Sequence, residues 1–270
     1  MPHDVAFCRV CGIFNPVGYH SLDWMKNNEF YMMGAQFDGV GGSYVKLSQI
    51  NFGEGFDGPE YGYGPEEYQL LAPQIQLAFP NREGTLGYYF IHDAYKNDDG
   101  VYVPGWMGED DNPADPDIIL GLGFWFKDPF NNKCVFQNAG QVNGEPVFEK
   151  DFIRNEFMML VPGYPRDMRL SEITFVDIDN NSPEYEGGPD DYQPLATQIQ
   201  IPFANREGFS YYYFIHDAVP NDDGGYDPGW MGEDDNPVDP TEIVIPAGRG
   251  CWFRASKNFP KEKMTVVFPK

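Results

Sequence analysis

The apolar residues of this chain fall in short bursts rich in aromatic and β-branched side chains, each cut off by glycine, proline, asparagine or aspartate. Tyr88-Tyr89-Phe90-Ile91-His92-Asp93 and Gly123-Phe124-Trp125-Phe126-Lys127 set bulky neighbours on alternate sides, the pattern of a strand covered on both faces. Further strands are predicted over Glu29 to Met33, Gln74 to Phe79 and Lys133 to Gln137, with counterparts later in the chain. Leu47 to Ile50 and Leu170 to Ile173 fit a single helical turn each, and nothing longer keeps a helical period.

The pattern occurs twice. Tyr89-Phe90-Ile91-His92-Asp93-Ala94 returns as Tyr213 to Ala218, and Gly105-Trp106-Met107-Gly108-Glu109-Asp110-Asp111-Asn112-Pro113 returns unchanged as Gly229 to Pro237, at an offset of 124 (216 − 92). Leu47-Ser48-Gln49-Ile50, Gln74-Ile75-Gln76, Asn81-Arg82-Glu83-Gly84 and Gly123-Phe124-Trp125-Phe126 have partners at nearly the same spacing, so the insertions belong to loops. A repeat of this length owns its own core, and 270 residues suit two ordinary domains. The expected architecture is all-β: two homologous tandem domains, residues 1–137 and 138–270, with a junction near Cys134 to Asn143. Each is expected to be a β-sandwich or open barrel of about six to eight strands.

Composition supports two folded cores, with 41% hydrophobic and 16% aromatic residues and no apolar run long enough for a membrane span. The formal charge of −24 repels phosphate backbones and anionic membranes, so neither nucleic-acid binding nor membrane insertion is expected. It favours cations, solubility and an extracellular or cell-surface setting. The opening residues Met1-Pro2-His3-Asp4 lack the basic start and apolar core of a secretory leader, so either a leader has been removed or another route is used. Cys8 and Cys11 form one C-x-x-C while Cys134 and Cys251 stand far off, which is half a zinc ribbon and fits buried thiols or one disulfide better than a metal site.

The densest polar stretch follows the His92 strand. Asp98, Asp99, Asp110, Asp111, Asn112 and Asp115 gather there, and Asp222, Asp223, Asp234, Asp235, Asn236 and Asp239 repeat the set. Carboxylates this close repel one another unless a hard cation spreads the charge, which makes calcium the candidate cofactor; the alternative is turn chemistry, because Asp and Asn bond their own backbone and tolerate left-handed conformations. Trp106 and Trp230 stand inside these stretches, each after Pro-Gly. As loop aromatics they would stack on a sugar ring or a partner's proline, or else plug one end of a barrel. His92-Asp93 and His216-Asp217 have no nucleophile at a motif spacing, so no catalytic residues are assigned and the protein is not expected to be an enzyme.

The order Asn-x-Phe, Leu-Ser-x-Ile, Gln-Ile-Gln, an aromatic strand ending in Asp, a Gly-Trp loop and a Gly-x-Trp-Phe segment resembles the uncharacterised β-repeat found in tandem in large surface and secreted proteins of some Gram-negative bacteria. That resemblance implies an extracellular, non-catalytic structural module and names no ligand. The chain departs from it in being short and unfused and in its longer acidic loop.

The leading segment, with Val5, Phe7, Val10 and Ile13, resembles the junction around Cys134 to Asn143 although nothing precedes it. A spare apolar strand can complete another molecule's sheet, and head-to-tail contacts of that kind build filaments or layers. The sequence therefore suggests a subunit of an extracellular polymer joined by strand exchange and stiffened by calcium. The alternative is a secreted carbohydrate- or protein-binding module acting through aromatic and acidic loops, with glycan as one candidate partner.

Overall fold

The structure, a computed structural model, describes residues 17–22, 29–35, 44–63, 65–78, 84–130, 136–141, 147–185, 188–202 and 208–270. Alternating side chains lay down antiparallel strands throughout. The first repeat runs β1 (Val17–Leu22), β2 (Phe30–Gly34), β3 (Tyr44–Lys46), helix α1 (Pro65–Leu71), β4 (Gln74–Ala78), β5 (Thr85–Lys96), β6 (Tyr102–Gly108), β7 (Asp117–Ile119), β8 (Gly123–Lys127) and β9 (Phe136–Gln141). Its main sheet has the order β2-β8-β4-β5-β6, while β3 pairs with β7 and β1 with β9.

The second repeat follows the same plan with β10 (Val147–Ile153), β11 (Phe157–Leu160), β12 (Met168–Arg169), β13 (Thr174–Phe175), helix α2 (Pro189–Tyr192), β14 (Thr197–Pro202), β15 (Phe209–Pro220), β16 (Tyr226–Gly232), β17 (Val244–Ile245), β18 (Cys251–Arg254) and β19 (Lys263–Pro269). Here the main sheet has the order β11-β18-β14-β15-β16, β12 pairs with β17, and β10-β19-β13 make a third sheet. The protein is all-β, and among the described residues none of the sheets closes into a barrel.

Both faces of the first main sheet are covered, as the alternating pattern requires. Tyr31, Met33, Ile75, Trp106, Phe124 and Phe126 turn one way, toward Val45 and Ile118 of the β3-β7 ribbon and toward Leu47, Ile50 and Phe52. Ile91 and Met107 turn the other way, where Tyr68 and Ala72 of the α1 segment cover them. Along β5 the two sides separate residue by residue, Tyr88 and Phe90 to the first core and Tyr89 and Ile91 to the second. Burying a Phe or Met side chain contributes about 1.5–3 kcal/mol, so the ribbon and α1 are held mainly by these faces rather than by their few hydrogen bonds. The second repeat rebuilds the α1-side core with Tyr192, Ala196, Tyr213, Ile215, Ala218 and Met231.

Several elements differ from the sequence expectations for identifiable reasons. β5 and β15 each extend past the aromatic run, with a register shift between Ile91 and Tyr95 and between Ile215 and Val219 that lets one strand bend. Helices α1 and α2 are too short to show a period, although Glu66 and Glu67 sit in the first turn of α1, where acidic side chains suit the helix dipole. β9 pairs with β1 over Phe136–Gln141, so the closing strand of the first repeat runs across residue 137 and lies within the first of two compact units. The second unit is built from the described residues from Val147 onward, apart from Gly163–Pro165.

Candidate functional site

The acidic stretch after Trp106 is an edge cap. β6 is the outermost strand of its sheet, and after Gly108 the chain turns through Glu109–Asn112 and runs back beside it. The Gly108 amide donates to the Asn112 carbonyl at 2.9 Å, and the Ala114 amide to the Trp106 carbonyl at 2.9 Å. The second repeat makes the same two bonds, Gly232 to Asn236 at 2.9 Å and Val238 to Trp230 at 3.0 Å. The turn places Asp111 at φ 60° and Asp235 at φ 65°, left-handed positions that Asp tolerates.

Each of these aspartates is then clasped by two tyrosines. Asp111 accepts hydrogen bonds from the Tyr68 hydroxyl and, at 3.2 Å, from Tyr61; Asp235 accepts from Tyr192 at 2.5 Å and from Tyr185. Burial, followed by the neighbouring carboxylate, pushes the Tyr68 and Tyr192 phenols well above their ordinary value, so both stay protonated donors. The Tyr61 and Tyr185 amides donate at 2.6 Å to Asp93 and Asp217 respectively, which ties the other end of the same segment to β5 and β15. The tyrosines recur at the 124-residue offset of the aspartates, a signal already present in the sequence.

The remaining acidic candidates divide into separate groups. Asp98 and Asp99 occupy the turn before β6, whose Asn97 side chain accepts the Asp99 and Val101 amides at 3.1 and 2.9 Å. Asp110 and Asp111 lie beyond the other end of that seven-residue strand. At ~3.3 Å per residue the two pairs stand about 20 Å apart, too far to share one ion. Asp222 and Asp223 are separated from Asp234 and Asp235 by β16 in the same way.

Within each group the side chains bond locally. Asp110 takes the Asn112 amide and side chain at 3.3 and 3.1 Å, which holds its carboxyl below the usual range, and Asn236 donates to Asp234 at 3.1 Å. Asp115 accepts the Ser48 amide at 2.8 Å and hydroxyl at 2.9 Å; Asp239 accepts the Thr241 amide at 2.8 Å, and its carboxyl is likewise lowered. Among the described residues no three His, Cys, Asp or Glu side chains form a group that could hold a metal ion.

Trp106 and Trp230 are strand residues of β6 and β16, which corrects their placement as loop aromatics. Their indoles are 6% and 5% exposed and pack edge-on against Phe52 and Phe175, with Phe90 and Phe214 on a second side. The preceding Pro104 and Pro228 read as loop signals but are tolerated because each strand lies at a sheet edge. Neither indole presents an open face, so stacking by these residues alone is not what the fold provides.

What the first repeat provides is a cleft of about 640 Å³ beside Trp106. The segment from Ser48 to Phe56, the β5-β6 hairpin and the return loop at Pro113–Asp115 line it. Phe52 and Phe56 stack at 4.9 Å, Phe56 meets Phe90 at 4.7 Å, and Tyr95, 43% exposed, forms the outer wall. Tyr95 packs against Gly105, where a Cβ would meet its ring at 2.5 Å. Ser48, Asn51 and Asp115 supply the polar side chains, and among the described lining residues none is Lys, Arg or His. Lys46 stands nearby and is held by Asp117 at 2.6 Å.

Other candidates of the sequence fall outside the cleft. His92 Nδ1 pairs with Asp57 at 2.8 Å, and that carboxylate raises the imidazole above its ordinary value; residue 181, at the same offset, is Asn. Cys251 is buried against the Leu160 carbonyl, and burial pushes its thiol up, whereas Cys8, Cys11 and Cys134 lie outside the described residues. Val5, Phe7, Val10 and Ile13 of the proposed assembly strand also lie outside them. The closing strand β19, the natural acceptor for such a strand, is flanked by β10 and β13, so both of its edges are already paired within the second repeat. Comparison of the chain with family models, with curated proteins and with solved structures finds no match.

Proposed function

We propose that the protein is a binding module that holds its ligand without transforming it, with the aromatic cleft of the first repeat as the site. The observation that carries this reading is the convergence of Phe52, Phe56, Phe90, Tyr95 and Trp106 on one opening of about 640 Å³. Small-molecule sites are commonly clefts of roughly 300–1,000 Å³, and here apolar groups, the aromatic rings among them, and polar groups, including Ser48, Asn51 and Asp115, share the exposed lining about equally. The Ser48 hydroxyl is committed to Asp115 and has no imidazole or amine beside it among the described lining residues, which favours retention over nucleophilic chemistry. The −24 charge supports a soluble module in an extracellular or cell-surface setting.

Fragment screening by NMR on the full chain tests the reading. Hits are expected to shift resonances of Phe56, Phe90 and Tyr95, and Tyr95→Val should weaken them. A screen in which binders leave all three unmoved would overturn the assignment.

A further inference from the structure

Resting on that cleft being a ligand site, we infer that its ligand is a small organic cation, an alkylated ammonium group with no phosphate beside it. The wall is aromatic on several sides. Phe56 and Phe90 are partly buried around the opening and Tyr95 is substantially exposed at its mouth, while Phe52 and Trp106 close the back. Aromatic rings carry a negative face, and an ammonium within about 6 Å of a ring centroid is attracted to it, most strongly where water is excluded.

Charge points the same way. Asp115 lines the cleft with an acidic side chain that accepts two hydrogen bonds from Ser48, and Glu54 is exposed on the segment that supplies Phe56. Among the described residues the basic groups near the cleft are already paired, Lys46 with Asp117 at 2.6 Å and with the Asp115 carbonyl at 3.2 Å, and His92 with Asp57. An anion entering this site would meet no cationic partner among the described lining residues, in a chain of net charge −24. A lone ammonium ion is strongly hydrated, and alkylation supplies apolar surface to bury against the rings of a lining whose exposed surface is about half apolar.

The second repeat serves as an internal control. It keeps Phe175, Phe214 and Trp230 at the back, but Val219 replaces Tyr95 and the stretch from Val176 to Ser182, opposite the Phe56 segment, has no aromatic residue. The inference therefore assigns one site per chain, in the first repeat.

Isothermal titration of the full chain with choline, and with dimethylbutanol in which carbon replaces the quaternary nitrogen, separates charge from shape. Choline is expected to bind at one per chain and about fivefold more tightly than its neutral isostere, the upper end of what a cation–π contact gives at a site open to solvent. Phosphocholine should bind more weakly than choline, because its phosphate meets the acidic field. Tyr95→Val should weaken choline more than the isostere and so shrink the preference between them, and Phe56→Leu gives a second test should Tyr95→Val perturb folding. Equal binding of the two isosteres, or fragment hits in the cleft with no choline binding, would overturn the cation assignment and leave the binding module standing. Absence of every ligand from the cleft would remove both.

Discussion

The two repeats agree where the fold is built and differ where a ligand would sit. Phe52, Phe126 and Trp106 are matched by Phe175, Phe253 and Trp230 in the same stacked and edge-on arrangement, and each capping aspartate is held by two tyrosines. Tyr95, Phe56 and the Asp57–His92 pair belong to the first repeat alone. The shared parts are those whose loss would cost a core or expose a sheet edge, and the edge cap is itself a guard against pairing with another chain. The unshared side chains are partly exposed, and two of them, Phe56 and Tyr95, line the cleft of the first repeat.

The largest expected effect tests the likeness. Trp106→Ala and Trp230→Ala each remove a buried indole from an equivalent aromatic cluster and should each cost about 3–5 kcal/mol in their own repeat. Hydrogen exchange followed by unit reads the two separately. A large loss in one repeat with little in the other would show that the matching ring geometry does not carry matching energy.

A second effect sharpens the difference. Gly58 lies so close to β5 that a Cβ would stand 1.9 Å from the Phe90 carbonyl oxygen, a backbone atom that cannot swing aside. The residue 124 positions later is Ser182, whose hydroxyl donates to the Ile178 carbonyl at 2.7 Å on a path lengthened by one residue. Gly58→Ser is therefore expected to destabilise the first repeat by at least the ~1–3 kcal/mol typical of overpacking, while Ser182→Gly costs less. Urea melts of the two variants compare them, and a harmless Gly58→Ser would mean that the first repeat can adopt the path of the second.

Much of this was legible in the sequence. Bulky neighbours in Tyr88 to Asp93 announce a strand covered on both faces, because side chains alternate with period two, and the 124-residue echo announces the duplication. Trp106 misled because Pro-Gly reads as a loop, whereas an edge strand leaves the missing proline amide facing outward. The arrangement of the acidic run was not legible, because charge density along the chain says nothing of the strand that separates its two halves. Tyr61 and Tyr68 were legible as partners of Asp111 only through their shared offset with Tyr185, Tyr192 and Asp235. The cleft was not legible at all. It needs three distant segments to converge, and its depth depends on ring packing that no spacing encodes.

The smallest effect concerns His92. Its hydrogen bond to Asp57 is the main cause that raises the imidazole, with the same carboxylate's charge next, against an opposing effect of burial, and with Asp93 and Glu60 adding less. A folded-state value above the ordinary 6.5 means that the pair's contribution is fully present below pH 6.5 and is lost as pH rises through the raised value. Both side chains are substantially exposed, at 52% and 38%, so solvent screens the pair and the change in overall stability is slight. The sensitive readout is the imidazole itself. An NMR titration should place the His92 midpoint above 6.5, and Asp57→Asn, which copies Asn181 of the second repeat, should bring it down toward 6.5. A His92 midpoint that ignores Asp57→Asn would show that the pair is not formed in solution and would erase one of the features that set the first repeat apart.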